Sequence, residues 1–257
     1  MTDYLRSLFS LDGRIALVTG GSSGIGQAMA GALARAGASV VVLARGVAAL
    51  DETVRDLRAA GCSAAWASAD LADRADLERG AQEAARKFGE PDILVNSAAV
   101  NLRPPMTGLT VAEWDQTVAV NLTAPFLLGQ RFGPRMAARG WGRIINIVSQ
   151  QAARAFGNSG AYGASKGGLA SLTRSQSEAW ASSGVCCNAL SPGFVATPLT
   201  SQTVSDPALS AVLAARTMIG RNGAADDFEG IAVFLASRAS EYITGQVISV
   251  DGGFSAT

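Results

Sequence analysis

The chain has 257 residues, of which 48% are hydrophobic and 16% charged, a composition typical of folded proteins rather than disordered or fibrous ones. Lysine plus arginine equals aspartate plus glutamate at 21 each, so no basic excess indicates a nucleic acid or membrane partner. A small molecule is the expected partner. Histidine is absent, which excludes serine–histidine triads, histidine-ligated zinc and histidine proton shuttles.

The cysteines and the N-terminal stretch predict a cytoplasmic location. Cys62, Cys186 and Cys187 are odd in number and lack metal-ligand spacing, which is typical of buried thiols in a reducing compartment and predicts no metal site. Charged residues interrupt the first twelve positions where a signal peptide needs an apolar stretch, and no run approaches the ~18 apolar residues of a membrane span.

Short apolar runs alternate with longer segments of helical period along the whole chain. This pattern predicts a Rossmann-like, doubly wound α/β fold with seven parallel strands and helices on both faces, in one domain, residues 1–257. The predicted strands are residues 14–19, 39–44, 63–68, 92–96, 141–148, 185–191 and 246–250. The predicted helices are residues 24–36, 47–60, 73–88, 111–138, 160–183 and 225–238.

Residues 198–222 differ from the rest of this alternation. They follow a Pro-Gly turn and contain Asp206-Pro207 before a short amphipathic piece. We expect them to form an inserted lid beside the strand ends.

A glycine-rich turn follows the first predicted strand, in the sequence Thr19-Gly20-Gly21-Ser22-Ser23-Gly24-Ile25-Gly26. Glycines at these positions allow a tight turn, so that backbone amides and a helix N-terminus can approach a pyrophosphate. Such turns can also serve packing alone, but the position after the first strand of a βαβ unit favours dinucleotide binding.

The end of the second predicted strand carries Ala44-Arg45, where an acidic residue would bind the ribose hydroxyls of NAD. An arginine suits the 2′-phosphate of NADP, which makes NADP the expected cofactor and NAD a possible one. A solvated arginine without a ligand is the alternative.

Tyr162 and Lys166 are four residues apart in a predicted helix and therefore share one face of it. Lys166 is one of only two lysines, Lys87 being the other, so position 166 is expected to require an amine. At ~4 Å and an effective dielectric of ~20, the attraction between ammonium and phenolate is about 4 kcal/mol. We therefore expect Lys166 to lower the pKa of Tyr162 by roughly three units, towards neutrality, where the phenol can act as acid or base.

Two further residues are candidates for the site. Ser149 ends a predicted apolar strand, at the sheet edge where open α/β folds bind ligands, and its hydroxyl can bond a substrate oxygen. Asn121 interrupts the helix that begins at Val111, and its amide could hold a water, although an asparagine there can also be structural.

Together these motifs resemble the single-domain short-chain dehydrogenase/reductase family over the whole chain. Asp70 matches the family's adenine-binding acid, Asp251-Gly252-Gly253 matches its C-terminal signature, and Asn96-Ser97-Ala98-Ala99 departs from the usual Asn-Asn-Ala-Gly. The resemblance implies a catalytic set of Asn121, Ser149, Tyr162 and Lys166. It implies cofactor contacts from Gly20, Ser22, Ser23, Gly24, Ile25, Gly26, Arg45, Asp70, Leu71, Asn96, Ala98, Tyr162, Lys166, Pro192, Gly193, Val195 and Thr197.

The reaction that the resemblance implies is hydride transfer between nicotinamide and a carbonyl or carbinol carbon, while Tyr162 exchanges the proton of the oxygen. Ser149 would polarise that oxygen. A relay through Lys166, the cofactor ribose and a water held by Asn121 would connect Tyr162 to solvent.

Arg103 lies just past the fourth predicted strand, between Leu102 and two prolines. This segment resembles that of gluconate 5-dehydrogenase-like sugar-acid and polyol dehydrogenases, which implies that Arg103 meets a substrate carboxylate. The planar guanidinium suits that role, and an exposed loop arginine is the alternative. Gln151 adds polar groups, so Arg103, Ser149, Gln151 and Tyr162 are the expected substrate residues.

Three other functions stay open. A 3-oxoacyl-carrier-protein reductase would share the catalytic residues, but the balanced charge offers no evident basic patch for an acidic carrier. A steroid or aromatic-ketone reductase would need a more apolar lid than Thr200-Ser201-Gln202-Thr203. A non-catalytic NADP-binding scaffold would have little reason to keep Ser149, Tyr162 and Lys166 together. The resemblance also implies a homotetramer formed through the two long helices.

Overall fold

The computed structural model describes residues 3–256, apart from the side chains of Gln202 and Val204, and the two ends of the predicted domain, residues 1–2 and 257, lie outside the described residues. Seven strands pair in parallel in the order β3-β2-β1-β4-β5-β6-β7, which confirms the predicted Rossmann-like α/β fold. The strands are β1 (Ile15–Thr19), β2 (Ser39–Ala44), β3 (Ala64–Ser68), β4 (Ile93–Asn96), β5 (Gly142–Ile147), β6 (Val185–Pro192) and β7 (Val247–Val250).

Ten α-helices accompany these strands in the described part of the chain. A short N-terminal helix is one that the sequence did not predict. The helices are α1 (Asp3–Phe9), α2 (Gly24–Arg35), α3 (Val47–Ala59), α4 (Arg74–Phe88), α5 (Val111–Val118), α6 (Ala124–Ala138), α7 (Gly160–Trp180), α8 (Ser201–Val204), α9 (Pro207–Ala215) and α10 (Glu229–Ala236).

The sheet buries both of its faces, as the apolar strands require. Val18 of β1 packs with Leu33 of α2 and Leu235 of α10 in one core cluster. Leu17, the preceding residue of β1, packs with Leu128 of α6 in a second cluster on the opposite face. Successive side chains of a strand alternate between faces, so an unbroken apolar strand is buried only when helices cover both sides.

The predicted helix 111–138 is interrupted. A π-helical turn, Ala119–Thr123, separates α5 from α6, and it contains the buried Asn121. A π turn inserts one extra residue into the helical repeat, and such turns often occur at functional sites. The predicted helix 225–238 is also shorter than expected, because a 3₁₀ turn at Ala225–Phe228 precedes α10.

Because all seven strands are parallel, their carboxyl ends lie at the same edge of the sheet. The chain leaves β1 towards β2 and β3 on one side and reaches β4 to β7 on the other, so a crevice opens at the carboxyl ends of β1 and β4. The segment between β6 and α10 carries α8 and α9 beside this edge, and Asp206 caps α9 by accepting bonds from the Ala208 and Leu209 amides.

No helix within residues 3–256 is both long enough and apolar enough to cross a membrane.

Candidate active site

A cavity of about 1010 Å³ opens at the carboxyl edge of the sheet. It is bounded by the turns that follow β1, β2, β4, β5 and β6 and by the segment that carries α8 and α9. Of the residues predicted for the site, all line this cavity except Asn96 and Asn121. The fold therefore brings the predicted cofactor, catalytic and substrate positions to one place.

The glycine turn after β1 leaves room for a ligand only because its residues lack side chains. Gly20 has φ +65°, and a Cβ there would stand 2.8 Å from the Ala98 backbone. A Cβ on Gly26 would collide with the Gly20 carbonyl. The turn therefore leaves the N-terminus of α2 open to the cavity, and the hydroxyl of its N-cap, Ser23, makes no capping bond. Free amides at a helix N-terminus fit a pyrophosphate.

The far end of the cavity carries an unpaired cation. Arg45 is exposed, and its guanidinium has no hydrogen-bond or ion-pair partner in the described part of the chain. Its main-chain carbonyl accepts a 3.1 Å bond from Ser68, which holds this turn against β3. A free guanidinium at the cavity edge fits the 2′-phosphate of NADP. Asp70, at the end of the neighbouring strand, lines the same end.

The phenol of Tyr162 lies in the cavity beside the end of β5. Tyr162 is 7% exposed, and the Ser149 hydroxyl is near enough to its phenol to lower the phenol pKa by hydrogen bonding. The Ser149 oxygen also accepts a 3.2 Å bond from the Gln151 amide, which fixes its position after the strand. A substrate oxygen between these two hydroxyls would meet two O–H groups, and one of them can also transfer a proton.

Lys166 is buried on the same face of α7. Its Nζ donates a 2.7 Å hydrogen bond to the Ile147 carbonyl and lies 5.7 Å from the centre of the Tyr162 ring. The side chain is 1% exposed, and this burial lowers the pKa of the Lys166 amine from 10.5 to about 7.

The pKa of Tyr162 shifts in the direction opposite to the one that its spacing from Lys166 predicted. Burial raises it from 10.0 to about 12, while the hydrogen bond with Ser149 and the charge of Arg103 lower it. The expectation counted the attraction between ammonium and phenolate but not the loss of solvation of both groups. Because both groups are buried, desolvation favours the neutral phenol and the neutral amine.

Asn121 and Asn96 have partners inside the protein. The Asn121 side chain bonds both backbone groups of Val100, at 2.9 Å each, and donates to Ser165 at 3.1 Å. Both hydrogens of its amide are thus used, which leaves one acceptor position on its oxygen for the water that the sequence suggested. Asn96 donates to Asn146 at 2.8 Å within the sheet, which explains why it does not line the cavity.

Arg103 and Gln151, two of the residues predicted to meet the substrate, both bond the segment just before α7. Arg103 Nη2 donates to the Gly157 carbonyl at 2.9 Å, and Gln151 Oε1 accepts from the Ser159 hydroxyl at 2.6 Å. Arg103 is also near enough to Tyr162 for its charge to lower the phenol pKa. The four expected substrate residues therefore line one end of one cavity.

Sequence reasoning missed an apolar wall of this cavity. Leu209 and Leu213 occupy neighbouring turns of α9 and both line it, as does Leu199. Phe254 lines it too and stacks on Phe156 at 6.3 Å between ring centres. Leu209 and Leu213, four residues apart, indicated an apolar helix face in the sequence. The prediction instead judged this segment polar from residues 200–203 alone. The segment predicted to be a lid is thus more apolar on the side that lines the cavity than expected.

Residues 20–255 match the sequence family described as Enoyl-(Acyl carrier protein) reductase. Gluconate 5-dehydrogenase from Gluconobacter oxydans is 39% identical over 246 residues, 96% of each chain. D-threitol dehydrogenase from Mycolicibacterium smegmatis is 39% identical over 249 residues, covering 96% of this chain and 94% of that protein. The crystal structure of a gluconate 5-dehydrogenase from Burkholderia cenocepacia, in complex with NADP and tartrate, superimposes with a TM-score of 0.93 at 38% identity, covering 98% of this chain and 99% of that one.

The chain belongs to the short-chain dehydrogenase/reductase family, whose members use NAD(P) to oxidise or reduce CH–OH and carbonyl groups. The resemblance stated from the motifs is confirmed.

Because a phenol whose pKa is raised is almost fully protonated at neutral pH, we expect alcohol oxidation to accelerate with rising pH, as the base form of Tyr162 becomes available. Reduction needs the protonated phenol, which is present throughout the neutral range. The measurement is kcat/KM for alcohol oxidation between pH 6 and 10. If chemistry limits the rate and the profile is flat, Tyr162 is not the base. It is also excluded if kcat/KM of Tyr162→Phe stays within about tenfold of the wild type, a loss of only ~1.4 kcal/mol.

Proposed function

We propose that this protein is an NADP-dependent dehydrogenase that acts on a secondary hydroxyl or the matching carbonyl of a sugar acid, and less well of a polyol. The observation that carries the proposal is the position of Arg103. Its guanidinium lines the same cavity as Ser149 and Tyr162 and acts on the phenol through its charge. Relatives named as gluconate 5-dehydrogenases, which match nearly the whole chain, support a carboxylate as the group that it recognises.

The chain's own residues divide the work of the reaction. When bound, the nicotinamide supplies or accepts the hydride. Tyr162 gives its proton to the substrate oxygen during reduction and takes it back during oxidation. Ser149, held by the Gln151 amide, donates to that oxygen and stabilises the charge that develops on it. Lys166 is held at the end of β5 by the Ile147 carbonyl. Asn121 is a positioning residue that ties Val100 to α7 through Ser165.

The cofactor would occupy the cavity from the glycine turn to the end of β6. We infer that the open N-terminus of α2 holds the pyrophosphate, that Arg45 meets the 2′-phosphate and that Asp70 meets the adenine. Their positions on one wall of the cavity support this assignment. The remaining cofactor residues on the cavity wall are Ser22, Ile25, Leu71, Ala98, Pro192, Gly193, Val195 and Thr197.

A reductase for apolar ketones is the second candidate. The apolar wall formed by Leu199, Leu209, Leu213 and Phe254 favours it, because hydroxyl groups held against leucine lose hydrogen bonds. The charge of Arg103 in the same cavity argues against it, since a neutral ketone, unlike a carboxylate, gains no ionic attraction from that guanidinium.

The lid, the oligomeric state and the cellular location of this enzyme stay predictions. We propose that residues 198–222 act as a lid on the substrate in a single domain, supported by the lining residues that α9 contributes. A homotetramer through the long helices is supported by the exposed Trp114 and Phe126 on α5 and α6. A cytoplasmic location fits the three unpaired cysteines.

We expect Arg103→Ala to raise KM for gluconate far more than KM for sorbitol, the polyol of matched length. Only the acid loses a charge-assisted bond, worth about 1.5–3 kcal/mol or roughly ten- to a hundredfold. Arg103→Lys should restore part of the difference, because an ammonium lacks the guanidinium fork. The measurement is the ratio of kcat/KM for the two substrates in each variant.

The control for this comparison is Arg55→Ala, which removes an exposed arginine of α3 whose nearest acid, Asp56, is 3.9 Å away. It should leave the ratio unchanged. The sugar-acid proposal fails if Arg103→Ala leaves the ratio unchanged too. If the wild type ignores gluconate and reduces apolar ketones well, the second candidate replaces it.

A second prediction concerns the cofactor. We expect the wild type to prefer NADP over NAD by roughly ten- to a hundredfold, since charge-assisted bonds to the phosphate contribute about 1.5–3 kcal/mol. Arg45→Ala should remove most of this preference by weakening NADP and leaving NAD nearly unaffected. Dissociation constants and kcat/KM for both cofactors give the answer, and equal use of the two by the wild type would contradict the role of Arg45.

A further inference from the structure

The turn Phe156–Ser159, between the end of β5 and the start of α7, has an unusual backbone. Asn158 has φ +58° and is the only non-glycine residue with a positive φ among residues 3–256. A left-handed conformation costs free energy in a residue with a side chain, and such residues concentrate at functional sites. The Ser159 amide closes the turn by donating to the Phe156 carbonyl at 3.2 Å.

The residues on either side of Asn158 each contact one substrate residue. The carbonyl of Gly157 accepts from Arg103 Nη2 at 2.9 Å. The hydroxyl of Ser159 donates to Gln151 Oε1 at 2.6 Å. One turn thus holds both Arg103, a cation, and Gln151, a neutral amide, and both side chains line the cavity.

The hydroxyl of Ser159 makes this contact in place of its usual one. Ser159 is the N-cap of α7, a position where serine normally bonds a free amide of the first helical turn, yet here its side chain makes no capping bond. Gly163, one turn later, keeps the space open, because a Cβ there would stand 2.6 Å from Ser159 Oγ. The sequence around the helix start therefore favours the bond to Gln151 over a better cap.

This bond determines which way the Gln151 amide faces. With Oε1 bonded to Ser159, the amide NH₂ carries two hydrogens that have no partner within the described residues. Gln151 lines the cavity together with Arg103. A carboxylate with an oxygen on the adjacent carbon can accept from the guanidinium and from such an amide at the same time.

We propose that Ser159 is a positioning residue for substrate specificity, which holds Gln151 with its NH₂ group towards the acid end of a hydroxy acid while the same turn anchors Arg103. The inference rests on the proposed function, because the ligand that it describes is the acid end of a sugar acid. Ser159 contacts no reacting atom and acts through Gln151 alone.

The test is a double-mutant cycle between Ser159→Ala and Gln151→Ala, read as KM and kcat for gluconate and sorbitol. Ser159→Ala should raise KM for gluconate about five- to tenfold, with kcat within about threefold, and should raise KM for sorbitol much less. In the Gln151→Ala background the same change should add less than twofold. Ser159→Thr, which keeps the hydroxyl, should restore most of the gluconate KM.

Ser175→Ala is the matched control, because Ser175 is an exposed serine of α7 that bonds only the preceding helical turn. It should leave all four constants unchanged. Thermal unfolding of Ser159→Ala should shift no further than that of Gln151→Ala, since both variants lose the same hydrogen bond and no capping bond is lost.

Several results would overturn the assignment. If the losses of the two single variants multiply in the double variant, Ser159 does not act through Gln151. If Ser159→Ala raises KM for sorbitol as much as for gluconate, or unfolds at a clearly lower temperature than Gln151→Ala, its role is structural. Wild type that oxidises sorbitol but not gluconate would instead refute the sugar-acid function, and this inference with it.

Discussion

The bond from Lys166 Nζ to the Ile147 carbonyl is the contact on which the candidate site depends. It joins α7, which carries the phenol of Tyr162, to the last residue of β5, two positions before Ser149. Burial of the amine makes this bond expensive to lose, because a buried donor without a partner keeps its full desolvation cost. Tyr162, Ser149 and Lys166 are therefore held in one arrangement before any ligand binds.

Small residues make the close approach of α7 possible. A Cβ on Gly167 would stand 3.3 Å from the Ala152 carbonyl, and one on Gly168 would stand 2.8 Å from Leu122 in the π turn. Gly163 similarly leaves room for the main chain of Gln151, at 3.1 Å from its hypothetical Cβ. The first three turns of this helix thus gain contact with the site at the cost of helix propensity, which glycine lowers by about 1 kcal/mol per residue.

The sequence predicted the fold and most of the site because their signals are local. Apolar strands of four to eight residues, a glycine turn after β1 and two side chains four apart on a helix are all visible in the spacing of the sequence. What it could not predict depends on tertiary packing. The pKa direction of Tyr162 follows from burial, which spacing does not report. Which side of α9 faces the cavity depends on how the segment after α9 packs. In that segment Met218 lies against Gly253 and Ile219 against Gly252.

Burial, more than mutual attraction, sets the protonation of Lys166 and Tyr162, and the two lysines of the chain allow a direct test. The chain contains only two lysines, so ¹⁵N-lysine labelling gives two side-chain signals, and a Lys87→Arg variant assigns them. We expect the Lys166 amine to titrate with a pKa of about 7 in the free protein, because its burial disfavours the charged form. An amine that stays charged to pH 10 would contradict it and would restore the ammonium-driven phenolate that the spacing alone suggested.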